Sequence, residues 1–286
     1  MTGFFEALAK YTFLRNALLT GVLASVACGV VGSYVVVRRI SYIAGGIAHS
    51  VLGGIGAALF LQRALGWEWA DPLLGAVVAA LLAAFVIGIV SLRVKERVDT
   101  VIGAVWAIGM ATGLLFLAKT PGYGEDLMSY LFGNILMVRT VDLWVIAGLD
   151  AVVLLAAVLF HNQLLAVSFD EEFARVRGIN VEFYYLLLLG LTALTVVLLV
   201  MVVGIVLVIA LLTIPAAIAG HFSRRLSVMM ALSIAVSAAL TTAGLFVSYD
   251  PDLPSGPTII ILAGVAYLVV ALASRLRGRR IARRHT

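Results

Sequence analysis

An all-α, polytopic helical membrane protein is the fold class this sequence predicts, on three observations. Hydrophobic residues fill 63% of its 286 positions and charged residues only 12%. Apolar runs of roughly 20 residues, the length an α-helix needs to cross ~30 Å of hydrocarbon with its backbone groups satisfied internally, recur along the chain. No stretch between them is long and polar enough for a separate core, so 1–286 reads as a single transmembrane domain with a basic tail from about 275 to 286.

Spans are expected near 12–37, 42–62, 72–92, 100–118, 142–160, 183–203, 204–221, 226–247 and 257–274. The first far exceeds a signal-peptide core and lacks a convincing cleavage site, so it is expected to stay in the mature protein. It holds the single cysteine, Cys28, which excludes a disulfide framework and reads as a small packing residue. Glycines crowd the second span (Gly45, Gly46, Gly53, Gly54, Gly56), where small residues let helices approach closely in lipid. His49 stands among them. An imidazole in lipid is costly without a partner, so two readings are open: a packing histidine bonded to a neighbouring helix, or a group on an ion path. Neutral imidazole suits zinc, manganese or iron(II).

The fifth span carries Asp150. A carboxylate at the bilayer centre costs about 2.5–3.5 kcal/mol on insertion scales, so it is expected to face a partner or water. It is a candidate metal-path residue or an interhelical hydrogen-bonding group. The apolar run from Phe183 to Phe222 is too long for one crossing and short for two, with Gly204 and Pro215 as its only punctuation. Proline removes a backbone donor, so a broken or re-entrant helix is expected there, with Gly204 and Pro215 as gating residues. Nine spans fit this pattern, with eight as the alternative and 1–11 as a candidate surface helix.

Cytoplasmic loops are enriched in Lys and Arg. Placing the C-terminus inside puts Arg38 and Arg39, Arg93, Lys95 and Arg97, Arg175 and Arg177, Arg224 and Arg225, and the tail arginines on one face, 15 of the 20 basic residues. The N-terminus then lies outside. Attraction of these groups to anionic headgroups accounts for the net charge of +5 without any nucleic-acid partner. Asp250 and Asp252 fall on the outer side, either attracting cations at an entrance or shaping a proline turn. His161 and His221 border spans at the inner face and read as interfacial groups.

The most polar internal segment is Ser168-Phe-Asp-Glu-Glu-Phe-Ala-Arg-Val-Arg-Gly178. Ser168 or Asp170 can cap a helix start, Glu171 and Glu172 favour its positive end, Arg175 and Arg177 its negative end, and Gly178 the left-handed stop. A short cytoplasmic helix is predicted. It is either an ordinary loop helix or a docking element transmitting force from a soluble partner, with Phe169 and Phe173 as apolar anchors.

Six segments together resemble the membrane permease of the manganese, zinc and iron class of ATP-binding-cassette importers: 32–39 (GSYVVVRR), 47–54 (IAHSVLGG), 130–136 (YLFGNIL), 169–178 (FDEEFARVRG), 203–217 (VGIVLVIALLTIPAA) and 253–256 (LPSG). The resemblance implies a homodimeric, multi-pass permease of a prokaryotic cell membrane, fed by an extracytoplasmic metal-binding protein and driven by two copies of a cytoplasmic ATP-binding subunit. It implies that 169–178 is the coupling helix, with Phe169, Asp170, Glu171, Glu172, Ala174 and Gly178 contacting the ATPase. It also implies a divalent transition-metal cargo, zinc or manganese or, by class, iron, with no permanently bound cofactor. One departure stands out, since many relatives carry an acidic residue four positions before the histidine and this chain has Gly45. Ser41, Cys28 and Asp150 are candidates to complete the ligand set; imidazole without that carboxylate leans toward zinc, because harder cations prefer oxygen.

ATP chemistry is expected elsewhere. No G-x-x-x-x-G-K-[ST] loop occurs, and Lys10, Lys95 and Lys119 are the only lysines. The rival reading is a stand-alone secondary carrier or channel coupling protons to solute through Asp150 and His49. An intramembrane hydrolase is disfavoured by the lack of a G-x-S-x-G elbow or an H-E-x-x-H pair.

Overall fold

The computed structural model describes residues 2–93, 98–122, 131–133 and 135–282. Twelve helices are described: α1 (Thr2–Lys10), α2 (Thr12–Val37), α3 (Ser41–Leu65), α4 (Pro72–Arg93), α5 (Val98–Lys119), α6 (Thr140–Leu159), α7 (His161–Phe169), α8 (Glu171–Val176), α9 (Val181–Val203), α10 (Ile205–Gly220), α11 (Leu226–Tyr249) and α12 (Ser255–Ala282). Eight of them are long and apolar enough to cross a membrane, and α10 is a ninth, shorter apolar helix.

Local chemistry sets several boundaries. Asp71 accepts from the Leu73 amide at 2.7 Å ahead of Pro72, whose missing N–H costs nothing at a helix start. Gly66 closes α3 in the left-handed conformation with φ 70°, a backbone state glycine adopts without a Cβ penalty. The Asn180 side chain accepts from the Phe183 amide at 3.0 Å to open α9.

Contacts between the helices give their directions. Asn16 Nδ2 donates to Thr140 Oγ1 at 3.3 Å, and Tyr34 Oη lies 3.0 Å from His161 Nδ1, so α2 runs parallel to α6. The next strip pairs α3 with α5 in parallel: Trp106 stacks on His49, and a Cβ on Gly56 would lie 2.6 Å from the Gly113 carbonyl oxygen. Gly54 meets Gly75 and Gly46 meets Ile87, which makes α3 and α4 antiparallel. Tyr184 against Phe160 and Leu198 near Ile146 set α9 antiparallel to α6. Gly21 on Thr241 and Gly29 on Ile234 set α11 antiparallel to α2, and Gly244 on Ile259 turns α12 back again. His221 beside Tyr267, with Leu207 beside Gly256, aligns α10 with α12.

Five helices (α2, α4, α6, α10, α12) thus point one way and four (α3, α5, α9, α11) the other. The chain reverses at Gly204, whose φ of 89° and ψ of 157° suit glycine. The alternating directions of the eight spans and the shorter α10 gather the described basic loop residues at one end of the bundle, in keeping with the basic-residue asymmetry, although Lys95, Arg97, Arg283 and Arg284 lie outside the described residues. At 16 residues, α10 spans only about 24 Å at 1.5 Å per residue. It is nonetheless deeply buried, Pro215 included. The residues 1–11 contribute α1, whose Phe4 packs edge-on against Phe246 and Tyr249 of α11.

The core is α2, α3, α9 and α10, with α5 and α12 outside it: 78% of the apolar window of α3 is buried against 17% for α5 and 11% for α12. In lipid the partner of an apolar face is equally apolar, so close approach rather than hydrophobicity draws helices together. The Gly54 and Gly75 backbones touch. Gly54→Leu therefore forces backbones apart at the α3–α4 crossing, beyond the 1–3 kcal/mol usual for overpacking. The expected result is a large fall in the thermal midpoint in detergent, whereas Leu for Gly148, which has open space, leaves it nearly unchanged.

Candidate functional site

His49 is placed by the glycine face of α3 and covered by α5. Its side chain is buried, and Nδ1 lies 2.8 Å from the Gly45 carbonyl oxygen one turn earlier. A carbonyl only accepts, so Nδ1 carries the proton. The neutral ring is then the tautomer with its lone pair on Nε2, the nitrogen free to bind a cation. Trp106 stacks on the imidazole with centroids 4.0 Å apart and planes 23° from parallel. The indole is half-buried and donates Nε1–H to Met110 Sδ at 3.2 Å. Tyr42 flanks it, with ring centroids 6.0 Å apart.

Asp150 occupies a different place. It is buried on α6 beside Ala27 and Cys28 of α2. Helix α3 packs on α4, α5 and α9 while α6 packs on α2, α7 and α9, so Asp150 and Cys28 are not brought to His49. Ser41 begins α3, two turns before the imidazole. Among the described residues no three His, Cys, Asp or Glu side chains converge on a point that would hold a metal ion. His161 and His221 are committed to other groups, His161 to Tyr34 and His221 Nδ1 to the Ala217 carbonyl at 2.8 Å.

At the face where the basic loops gather, the polar segment forms the short helix the sequence predicted, α8, and the preceding helix α7 ends on its first two residues, Ser168 and Phe169. Asp170, rather than Ser168, caps α8 by accepting from the Phe173 amide at 3.0 Å. Gly178 ends it with φ 74°, and the Ile179 amide returns to the Ala174 carbonyl at 3.0 Å. Ala174 faces inward at 0% exposure; Phe169, Phe173 and Val176 face outward at 65%, 53% and 87%. A cavity of about 680 Å³ lies beside them, lined among others by His161, Phe169, Asp170, Phe173, Arg224 and Arg225.

The residue that fastens this element is Arg38, which the sequence marks only as a basic loop residue and as part of the 32–39 segment. Its side chain is only 9% exposed; the guanidinium pairs with Glu171, donates to the Val167 carbonyl and lies 4.3 Å over the Tyr185 ring. The Tyr185 hydroxyl donates to Ser91 Oγ at 3.0 Å. One cation thus ties the end of α2 to α7, α8, α9 and, through the tyrosine, α4. The signal was available: Arg38 follows an apolar run and precedes Arg39, which takes the left-handed turn with φ 61°.

Toward the outer side, three of the six segments meet. A Cβ on Gly133 would collide with the Val203 and Gly204 backbone, one on Gly204 would collide with Phe132 and Gly133, and one on Gly256 would come within 2.7 Å of the Phe132 carbonyl oxygen. Tyr130 and Asn134 of that motif lie outside the described residues. A cavity of about 480 Å³ opens beside this crossing, lined among others by Asp71, Gly133, Arg139 and Asp142. Asp250 and Asp252 are exposed in the turn between α11 and α12, where Asp252 takes a positive φ of 54°.

The model of the ABC 3 transport family matches residues 10–274. A "Probable metal transport system membrane protein" of Chlamydia muridarum is 40% identical over 262 residues, covering 92% of this chain and 89% of that one. The manganese import system permease protein ScaB of Streptococcus gordonii is 33% identical over 266 residues, covering 93% of each. Among solved structures, PsaBC from Streptococcus pneumoniae in complex with Fab is similar with a TM-score of 0.82 at 34% identity, covering 94% of both chains.

If Arg38 holds α8 down, Arg38→Gln should speed amide hydrogen exchange across 171–176 by about tenfold, equivalent to some 1.4 kcal/mol of lost local stability. Exchange in α3 should stay unchanged; equal acceleration everywhere would mean that the residue serves the whole bundle instead.

Proposed function

We infer, from a chain that belongs to the ABC 3 transport family, that this protein is the membrane permease subunit of an ATP-driven importer of divalent transition-metal ions. It is a multi-pass plasma-membrane protein of a prokaryote. It works with a separate ATP-binding subunit, which carries the hydrolysis, and with a substrate-binding protein. Two copies of this chain, each engaging one ATPase subunit, form the working unit of this reading, with the ion passing between them and the binding protein docked on the outer face.

The observation that carries it is the pinned helix α8. Its inner side is fixed to the bundle through Ala174 and the Arg38–Glu171 pair, and its outer side presents Glu172, Phe173 and Val176 beside Phe169 at the end of α7. A lever has to be stiff on the side that moves the load and free on the side that receives force. When ATP draws the two ATPase subunits together, displacement of α8 passes through Arg38 to α2 and through Tyr185 to α9. Helix α9 ends at Gly204, the reversal point packed on Gly133. Motion of α9 thus reaches the outer crossing of Gly133, Gly204 and Gly256 and alternates access to the ion path. The cargo is a divalent cation of the zinc or manganese type. His49 supplies one nitrogen ligand through Nε2, and the remaining ligands come from the second copy or from water, since this copy offers no converging set among its described residues.

His49→Ala should abolish metal uptake by cells that depend on this importer, while the variant inserts and co-purifies with the ATPase as the parent does; normal uptake would remove His49 from the path. Glu172→Arg should leave the subunits assembled but lower metal uptake per ATP hydrolysed by at least about tenfold, an effect of the size expected for reversing one interface charge. Metal flux through vesicles holding this chain alone, without ATP, would overturn the importer assignment itself.

A further inference from the structure

Position 45 lies one helical turn before His49 on the same face of α3. Among the described residues, the only heavy atom within 4 Å of a Cβ placed there is Trp106 Cζ3, at 3.8 Å. A methyl group would fit. A longer side chain there would lie against the indole, the ring stacked on His49 at 4.0 Å. We propose that Trp106 is a positioning residue that sets the ion selectivity of this permease by holding His49 as a nitrogen ligand on a stretch of α3 that supplies no carboxylate. This rests on the importer reading and on His49 being in the path.

Three effects act together. The Nδ1 bond to the Gly45 carbonyl fixes the tautomer, leaving Nε2 as the donor. The stack fixes the plane of the ring, and the electron-rich face of the indole favours an imidazole that has given electron density to a cation. The donor set then decides the ion. Glycine at position 45 gives the ion no side-chain oxygen from the preceding turn of α3, and the remaining groups about the stack are Tyr42 and Met110. A nitrogen-donor, carboxylate-poor site favours borderline cations such as Zn²⁺ over harder Mn²⁺.

The test uses the whole importer, permease with ATPase and binding protein, and measures zinc and manganese uptake side by side in cells lacking other routes. The parent should prefer zinc. Trp106→Phe, which keeps a stacking ring, should hold the zinc-to-manganese ratio within about twofold. Trp106→Ala should lower zinc uptake about tenfold more than manganese uptake, the loss typical of removing a group that orients a ligand. Gly45→Asp combined with Trp106→Ala should shift the ratio further, toward manganese. A merely structural tryptophan would lower both ions together and leave the ratio fixed in all three variants, and that result overturns the proposal. A parent importer that moves neither ion would instead overturn the functional reading on which it rests.

Discussion

A guanidinium withdrawn from water has to be paired and hydrogen-bonded, and the burial of Arg38 at the inner end of α2 imposes that demand on everything around it. Glu171 supplies the counter-charge, Val167 a carbonyl and Tyr185 an aromatic face. These partners belong to three different helices, so satisfying one charge fixes where three elements end. Helix α8 is six residues long, too short to persist by its own backbone bonds. Its caps at Asp170 and Gly178 shape it, but the Arg38 pair and the burial of Ala174 anchor it.

The bundle above that anchor is held by contact between backbones. Gly54 on Gly75, Gly53 on Gly109 and Gly56 on Gly113 bring α4 and α5 against α3 closely enough that no side chain fits between. Such crossings resist deformation, because closely packed interiors respond to strain by moving as units. The Gly133–Gly204–Gly256 crossing differs in joining a helix reversal to two connecting segments. Rigid strips around a backbone pivot are a physical arrangement in which a small displacement at the inner face reaches the outer side.

Much of this was legible from the chain. The spans stand within a few residues of their expected limits, and the reversal falls at Gly204, because hydrocarbon length and the lack of a Cβ are local constraints. The cap at Asp170 and the left-handed stop at Gly178 were legible for the same reason. Where the sequence left a choice, tertiary contacts made it. Ser168 and Asp170 were both suitable caps, and Asp170 took the role because the chain as far as Phe169 belongs to α7, whose His161 and Leu164 pack back on the bundle, His161 through Tyr34. Among the candidates proposed to complete the ligand set, Asp150 and Cys28 share a site with each other and not with His49, since α6 and α3 lie apart in the bundle. No spacing along the chain reveals such a separation.

The sequence by itself determined that this is a many-span helical membrane protein, that most of its basic residues lie in loops that alternate with the spans, and where its helices start, stop and reverse. Each depends on the free energy of one residue in lipid, water or a backbone state, a quantity local to that residue. Only the tertiary structure decided that Arg38 clamps α8, that three distant glycines meet, and that Trp106 stands over Gly45 and His49. Those outcomes depend on which helix faces touch, and with lipid as apolar as the helix surfaces, composition is silent about that choice; small-residue surfaces and a few buried polar groups make it.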